Sequence, residues 1–369
     1  MNDPFSVDPD GCRSRQARLL AELEKQDLSL ALLTRPESVQ WLTGAWVPPP
    51  LASVASIAID GEVKLVVPQH LAEMPFAADY VLPYDAQLLA TLIDDQQRAS
   101  FEALQQSWST TPSRIGGEFS LLGHQITQTW RADWIDIGEV IFDLRRCKDP
   151  DELRMLARAN EANRAMYEHA RGAICPGISE LEMYNQLQAV ATETLGERLT
   201  YFGQDFQCNS PGGPPRNRRA EPGELYILDL GVGFRGYRSD NCRTFCVDSE
   251  PGEQQQRAWD ALAAVFPIIE STVRPGASCR DLFHHVEQHL AEFHPWKFGH
   301  HLGHGVGLAA HEAPRLNSNW NNTFREGEFF TVEPGLYHDD LRGGIRLEQN
   351  YRVTDSGVEL LTDWPLQLS

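Results

Sequence analysis

No stretch of the chain holds the roughly 18 consecutive apolar residues that a membrane-spanning helix requires. The opening MNDPFSVDPDGCRSRQ has neither a basic start nor an apolar run, so no secretory leader is expected. Basic residues are scarce: 32 Lys and Arg stand against 52 Asp and Glu, a net charge of −20. A surface of that sign does not displace counterions from nucleic acid and is repelled by anionic lipid, so nucleic-acid and membrane partners are excluded. CxxC pairs are absent, and the seven cysteines are odd in number. They read as free thiols of a reducing compartment, which makes the cytoplasm the expected location. Repeats with a period of about 20–50 residues and low-complexity tracts are lacking too.

What is present is a composition typical of a soluble enzyme, 41% apolar and 23% charged over 369 residues. At about 150 residues per domain this length suggests two or three domains. Residues 1–145 read as an α/β unit. A weak apolar stripe predicts a helix over 13–26, and LSLALLT (28–34) a buried strand. SVASIAID and VKLVVP read as two strands joined through Asp60-Gly61. Residues 86–108 are expected to be helical, with short strands at RIGGEF (114–119) and WIDIGEV (134–140). The pattern changes near 146. Pro150 and the acids after it open a long helix, and Ser179-x-x-Glu182 has the capping-box spacing of a second. ELYILDLG (224–231), NCRTFCV (241–247), EFFTVEPG (328–335) and GIRLEQNYRV (344–353) read as strands, and 252–273 and 279–293 as helical. PGGPPRNRR (211–219) is a loop.

Four segments of the second half carry chemistry. LDLGVGFRGYRSDNCRTF holds Asp229 and Asp240 on either side of a glycine-rich turn, so a hairpin returns both carboxylates to one place. HHLGHGVGLAAHE holds His304 and His311, FTVEPG holds Glu333, and GGIRLEQNYRVT holds Arg346 and Glu348. An acidic residue in a strand ordinarily faces solvent. Asp229, however, lies between Ile227-Leu228 and Leu230, and Glu333 follows Phe329-Phe330-Thr331-Val332. A carboxylate in such a buried strand needs a compensating cation. Four carboxylates and a neutral imidazole balance two divalent ions, and this donor set suits Mn²⁺, Fe²⁺, Co²⁺ or Zn²⁺. Two ions about 3.5–4 Å apart hold a bridging hydroxide and polarise a carbonyl beside it.

The segments SDNCRTF, GHGVGLAAHE, VEPG and GIRLEQNYRVT, in this order, resemble those of the creatinase/aminopeptidase P/prolidase/methionine aminopeptidase family. The likeness runs from about 146 to 362, with a looser one through WLTG in the first half. It implies an α+β chain: a creatinase-type N-terminal α/β domain (1–145) and a pita-bread catalytic domain (146–369). It further implies that Asp229, Asp240, His304, Glu333 and Glu348 hold two divalent ions, manganese first among them, with Asp240 and Glu348 bridging. His311 would stabilise charge on the intermediate, Glu333 would relay a proton, and His300 would lie near a proline pocket. Arg346 would contact a substrate carboxylate or else orient a metal ligand. The implied activity is hydrolysis of Xaa-Pro bonds in dipeptides or short peptides by attack of a metal-bridging hydroxide, and the implied assembly is a homodimer, with the WVPPP loop (46–50) a candidate to approach the other subunit's site.

The sequence departs from that family at one informative place. Relatives carry a histidine in a Pro-His segment ahead of the first metal aspartate. Counting back from Asp229 puts that position at Gly212, and no histidine occurs between His169 and His284. Three readings follow: a weak peptidase, a substitute such as Arg216, Asn209 or Arg218, or a hydrolase or lyase of a small non-peptide metabolite on the same centre. Cys242 replaces the commoner Thr, and Cys208 is expected to be a buried free thiol. His301 stands where glycine is usual.

Overall fold

The computed structural model describes residues 3–248 and 250–368. The chain divides into two compact units, with the boundary between Arg145 and Arg146. In the first, α1 (Pro9–Lys25) is capped by the Asp8 side chain. The sheet comprises β1 (Leu30–Leu33), β2 (Val54–Ala58), β3 (Val63–Pro68), β4 (Tyr80–Tyr84), β5 (Arg114–Gly117) and β6 (Asp133–Asp136). Their order is β4-β3-β2-β1-β5-β6, with β2 antiparallel to both of its neighbours and the other pairings parallel. Helices α2 (Pro36–Thr43), α3 (Gln96–Gln106), α4 (His124–Thr129) and α5 (Gly138–Leu144) complete the unit. The SVQWLTG segment lies in α2, begun by Pro36 and ended by Gly44 in the left-handed region. The helix expected over 86–108 starts only at Gln96, because the Asp95 carboxylate caps the backbone of Arg98 and fixes the start there.

In the second unit α6 (Pro150–Ala173) and α7 (Glu180–Leu195) each begin with a capping box, at Asp149 and Ser179. Strand β7 (Tyr201–Cys208), which the sequence reading missed, pairs with β8 (Leu225–Phe234). On its other side β8 pairs with β10 (Asn241–Cys246), and β9 (Tyr237–Arg238) closes the turn. Arg235 and Gly236, both at positive φ, form a two-residue turn of the kind that matches strand twist. The 252–273 segment is two helices, α8 (Glu253–Ala263) and α9 (Val265–Thr272), because Pro267 removes a helical N–H and crowds the carbonyl of Ala263. Then follow α10 (Cys279–Ala291), β11 (Gly303–Gly305), β12 (Glu312–Leu316), β13 (Phe329–Val332), β14 (Gly335–His338), β15 (Gly343–Arg346), β16 (Gln349–Val353) and β17 (Val358–Leu360).

The segments expected as single strands at 328–335 and 344–353 each change sheets midway. Val332 pairs with Gln349 in the order β12-β11-β13-β16-β17. Gly335 pairs with Arg346 in the separate β14-β15 ribbon. Residues 333–334 and 347–348 are therefore the crossing between two sheets. Proline at 334 cannot donate to a ladder, which favours the break there. Apolar side chains of α8–α10 pack with those of β13–β16 into one core, including Leu262, Val286, Phe330 and Tyr351.

Strand β11 is the sequence Gly-His-Gly because its backbone lies hard against both neighbours. A Cβ on Gly303 would stand 1.9 Å from the Thr331 carbonyl oxygen, and one on Gly305 2.2 Å from that of Ala313. Gly303→Ala is therefore expected to cost roughly 3 kcal/mol, the upper end of overpacking. Gly299→Ala, with nothing within 4 Å of its Cβ, should change stability by under about 0.5 kcal/mol. Urea denaturation midpoints test this, and equal midpoints for the two variants would sink the explanation.

Candidate metal centre

Each of the five candidate ligands comes from a different place in the second unit. Asp229 is in the middle of β8, directly opposite Cys242 on one side and Asp205 on the other. Asp240 immediately precedes β10. His304 is the centre of β11, and Glu333 and Glu348 sit at the crossing just described. All five are between 1 and 6% exposed. Asp229, Asp240 and Glu348 each offer a carboxylate oxygen within 4.8 Å of the others. His304 Nε2 lies 3.7 Å from Asp240 Oδ2 and 3.3 Å from Glu333 Oε1. Asp240 thus faces both groups.

The hydrogen bonds hold the backbone of these residues and leave much of their ligand surface free. Asn350 donates to the Asp240 carbonyl, and Asn241 and Arg243 donate to that of Glu348. Gln204 donates to Asp240 Oδ1 at 2.6 Å, and Thr331 donates to Glu348 Oε1. Asp229 Oδ1 and Glu348 Oε2 are buried with no hydrogen-bond partner. His304 Nδ1 is 3.0 Å from the Gly305 carbonyl, which only accepts, so that nitrogen carries the proton. The lone pair of Nε2 in the neutral ring then faces two carboxylates, an arrangement that a cation between them resolves. The orphaned oxygens and this lone pair together fit divalent ions.

Electrostatics agree. Burial pushes Asp229 up to about 6 against the pull of Arg346. Burial, then the neighbouring carboxylates, holds Asp240 and Glu348 well above the usual range. Burial also acts to raise Glu333, but the His301 and His304 imidazoles beside it hold it well below. Burial lowers His300 and His311 to about 4.

The remaining candidates lie around this cluster. The His311 ring stacks on that of His304, with centroids 3.7 Å apart. His300 uses both nitrogens, Nδ1 on the His301 carbonyl at 2.7 Å and Nε2 on the Tyr337 hydroxyl at 2.8 Å. Only its ring is left for contact with a substrate. Arg346 donates to Tyr337 Oη, Asp205, Asp229 and the Pro211 carbonyl. A guanidinium has five N–H groups, so the geometry favours the ligand-orienting role of Arg346 over capture of a carboxylate.

Gly212 has φ +141°, and a Cβ there would stand 2.2 Å from Asp205 Oδ2. A histidine does not fit that position, where glycine lets the backbone lie against Asp205. Two of the candidate substitutes are otherwise engaged: Arg216 is paired with buried Glu180 at 2.6 Å, and Arg218 with buried Glu224. Cys208 is a buried free thiol, pushed up to about 12 by burial. Cys242 is buried, and its thiol lies against the Arg346 carbonyl at 3.5 Å. The sequence reading missed Gln204, Asp205, Thr331 and Tyr337. A strand read at YFGQDFQC would have put Asp205 beside Asp229.

Residues 154–355 match the model of metallopeptidase family M24, and residues 15–147 match the creatinase/prolidase N-terminal domain. The chain belongs to metallopeptidase family M24, and its two parts are the creatinase-type N-terminal and pita-bread folds. It is 30% identical over 230 residues to an Xaa-Pro dipeptidase of Pyrococcus horikoshii, a match covering 61% of this chain and 65% of that relative. It is 26% identical over 357 residues to an Xaa-Pro dipeptidase of Pyrococcus furiosus, covering 95% and 98%. Among solved structures, an Xaa-Pro dipeptidase from Bacillus anthracis superposes with a TM-score of 0.80 at 24% identity, covering 97% of this chain and 99% of that one.

Carboxylates raised by burial and by one another hold protons in mildly acidic solution, and an ion must displace them. Between pH 5 and 7 divalent-ion affinity should therefore rise about tenfold per pH unit for each proton displaced. Calorimetry in two buffers of different ionisation enthalpy measures that release. An affinity flat over this range would contradict the shifts.

Proposed function

We propose that this protein is a dinuclear-metal hydrolase that cleaves Xaa-Pro bonds in dipeptides or short peptides. The observation that carries the reading is the convergence of Asp229, Asp240, His304, Glu333 and Glu348, with two carboxylate oxygens left orphaned, in a chain of this family. When bound, the ions supply a Lewis acid for the scissile carbonyl and a nucleophile at neutral pH. Asp240 and Glu348 are assigned as the shared ligands, Asp229 as the further ligand of one ion, and His304 with Glu333 as those of the other. Glu333 Oε1 takes the proton that the nucleophile gives up and returns it to the departing nitrogen. His311 faces the developing oxyanion. The His300 ring, its nitrogens already bonded, offers an apolar face that suits a pyrrolidine. Arg346, tied to Asp205 and Tyr337, keeps Asp229 oriented.

The reading includes manganese, because the Asp229, Asp240 and Glu348 group is all oxygen and hard. It includes a cytoplasmic location, supported by seven free cysteines, and a homodimer, supported by family resemblance. No helix among the described residues is long and apolar enough to cross a membrane. A non-peptide metabolite as substrate is not favoured, since a relative matched over nearly its whole length is an Xaa-Pro dipeptidase.

The test is release of free proline from Ala-Pro and Gly-Pro by protein loaded with Mn²⁺. Hydrolysis is expected, and Asp240→Ala should reduce it by a factor on the order of 10³ or more while lowering metal content, as loss of a shared ligand requires. Protein that holds two ions and leaves every Xaa-Pro peptide intact would overturn the reading in favour of a metabolite substrate.

A further inference from the structure

The metal centre has two unlike poles. At one, Asp229, Asp240 and Glu348 bring together carboxylate oxygens from fully buried side chains. At the other, His301, His304 and His311 each offer a ring nitrogen within 4.8 Å of the other two. His304 belongs to the inherited ligand set, and His311 stacks flat on it. His301 stands where the family resemblance leads to the expectation of a glycine. Its Nε2 lies 2.7 Å from Glu333 Oε1, the same oxygen that His304 Nε2 approaches at 3.3 Å. The His301 and His304 rings are 5.4 Å apart and steeply inclined, so their nitrogens converge on that oxygen from different directions. The His301 side chain is one-third exposed and lies on the open side of the cluster.

We propose that His301 is an additional metal ligand, giving the ion held by His304 and Glu333 a second imidazole nitrogen. The inference rests on the dinuclear reading above but not on the peptide substrate. Imidazole donors favour borderline ions such as Zn²⁺, Co²⁺ and Cu²⁺, whereas an all-carboxylate group favours hard ions such as Mn²⁺. The two poles therefore differ in preference, and the protein takes a mixed pair when both kinds of ion are offered. A glycine at 301 would remove this difference.

Protein loaded with one equivalent of Cu²⁺ reports its nitrogen ligands directly by pulsed electron paramagnetic resonance. Two coordinated imidazoles are expected in the native protein, one in His301→Gln, and two in His311→Gln. Glutamine retains a hydrogen bond to Glu333 but offers no imidazole. In competition with a chromophoric chelator, Zn²⁺ affinity should fall about 10–100-fold in His301→Gln, with Mn²⁺ binding at the carboxylate pole unchanged. One nitrogen in the native protein overturns the proposal, and that measurement needs no variant to fold. So does a count that drops with His311 instead of His301. No peptide enters these measurements. Two nitrogens without peptide cleavage would sink only the functional reading, and cleavage with one nitrogen would sink only this inference.

Discussion

Four carboxylates buried within a few ångströms of one another repel, and the second unit is organised to hold them there all the same. Burial removes the water that would screen them, so the fold has to fix their backbones by other means. Asp229 is pinned by pairing on both sides, with β7 and with β10. Asn350 grips the Asp240 carbonyl, and Asn241 and Arg243 grip that of Glu348. Arg243 is only 1% exposed, yet its charge is spent on carbonyls and not on the carboxylates. Buried polar groups thus secure main chain and leave carboxylate oxygens open to an ion. Gln204, Thr331 and Arg346 are the exceptions, each donating to a carboxylate, and the position of Arg346 on Asp229 is itself braced by Asp205 and Tyr337.

The crossing of two strands between sheets places the other two acids. A continuous strand would send Glu333 and Glu348 to faces set by simple alternation. Instead each strand leaves one sheet and joins another at the same level, and the dipeptides 333–334 and 347–348, outside both ladders, are joined by the Leu347 N–H donating to the Pro334 carbonyl. Irregular backbone between regular elements frees a side chain from the alternation while keeping both flanks rigid. Rigid flanks matter because a ligand set loose by an ångström loses affinity.

Much of this was legible in the sequence, and the failures have identifiable causes. Acids within otherwise apolar strands, at Asp229 and Glu333, signalled the centre because burial of a lone charge is costly. The capping signals at Pro150 and Ser179 were legible for the same local reason: a helix start is decided by a few neighbouring residues. Sheet switching at Glu333 and Glu348 was not legible, since each half keeps strand composition and the change lies in which partner it meets. Asp205 escaped because YFGQDFQC mixes polar and aromatic residues without clean alternation, and its role exists only through the register with Asp229. The consequence of Gly212 was half legible. The sequence showed a histidine missing, but only the structure shows Asp205 occupying the space a side chain there would need.

The distribution of donor atoms follows from connectivity. The carboxylates come from β8, the residue before β10 and the two sheet crossings, so they are spread over more than a hundred residues of chain. The imidazoles all come from the single segment 300–311 around β11. The loop at 211–219 contributes none, because it holds no histidine, and its Arg216 and Arg218 are bound to Glu180 and Glu224, both without solvent exposure. That loop is tied by these ion pairs and also by its Pro211 carbonyl, which accepts from Arg346, and its Gly213 N–H, which donates to Asp205. With the nitrogen donors beside Glu333 at one edge and the other three carboxylates grouped at the opposite one, the two ends of the proposed centre differ chemically.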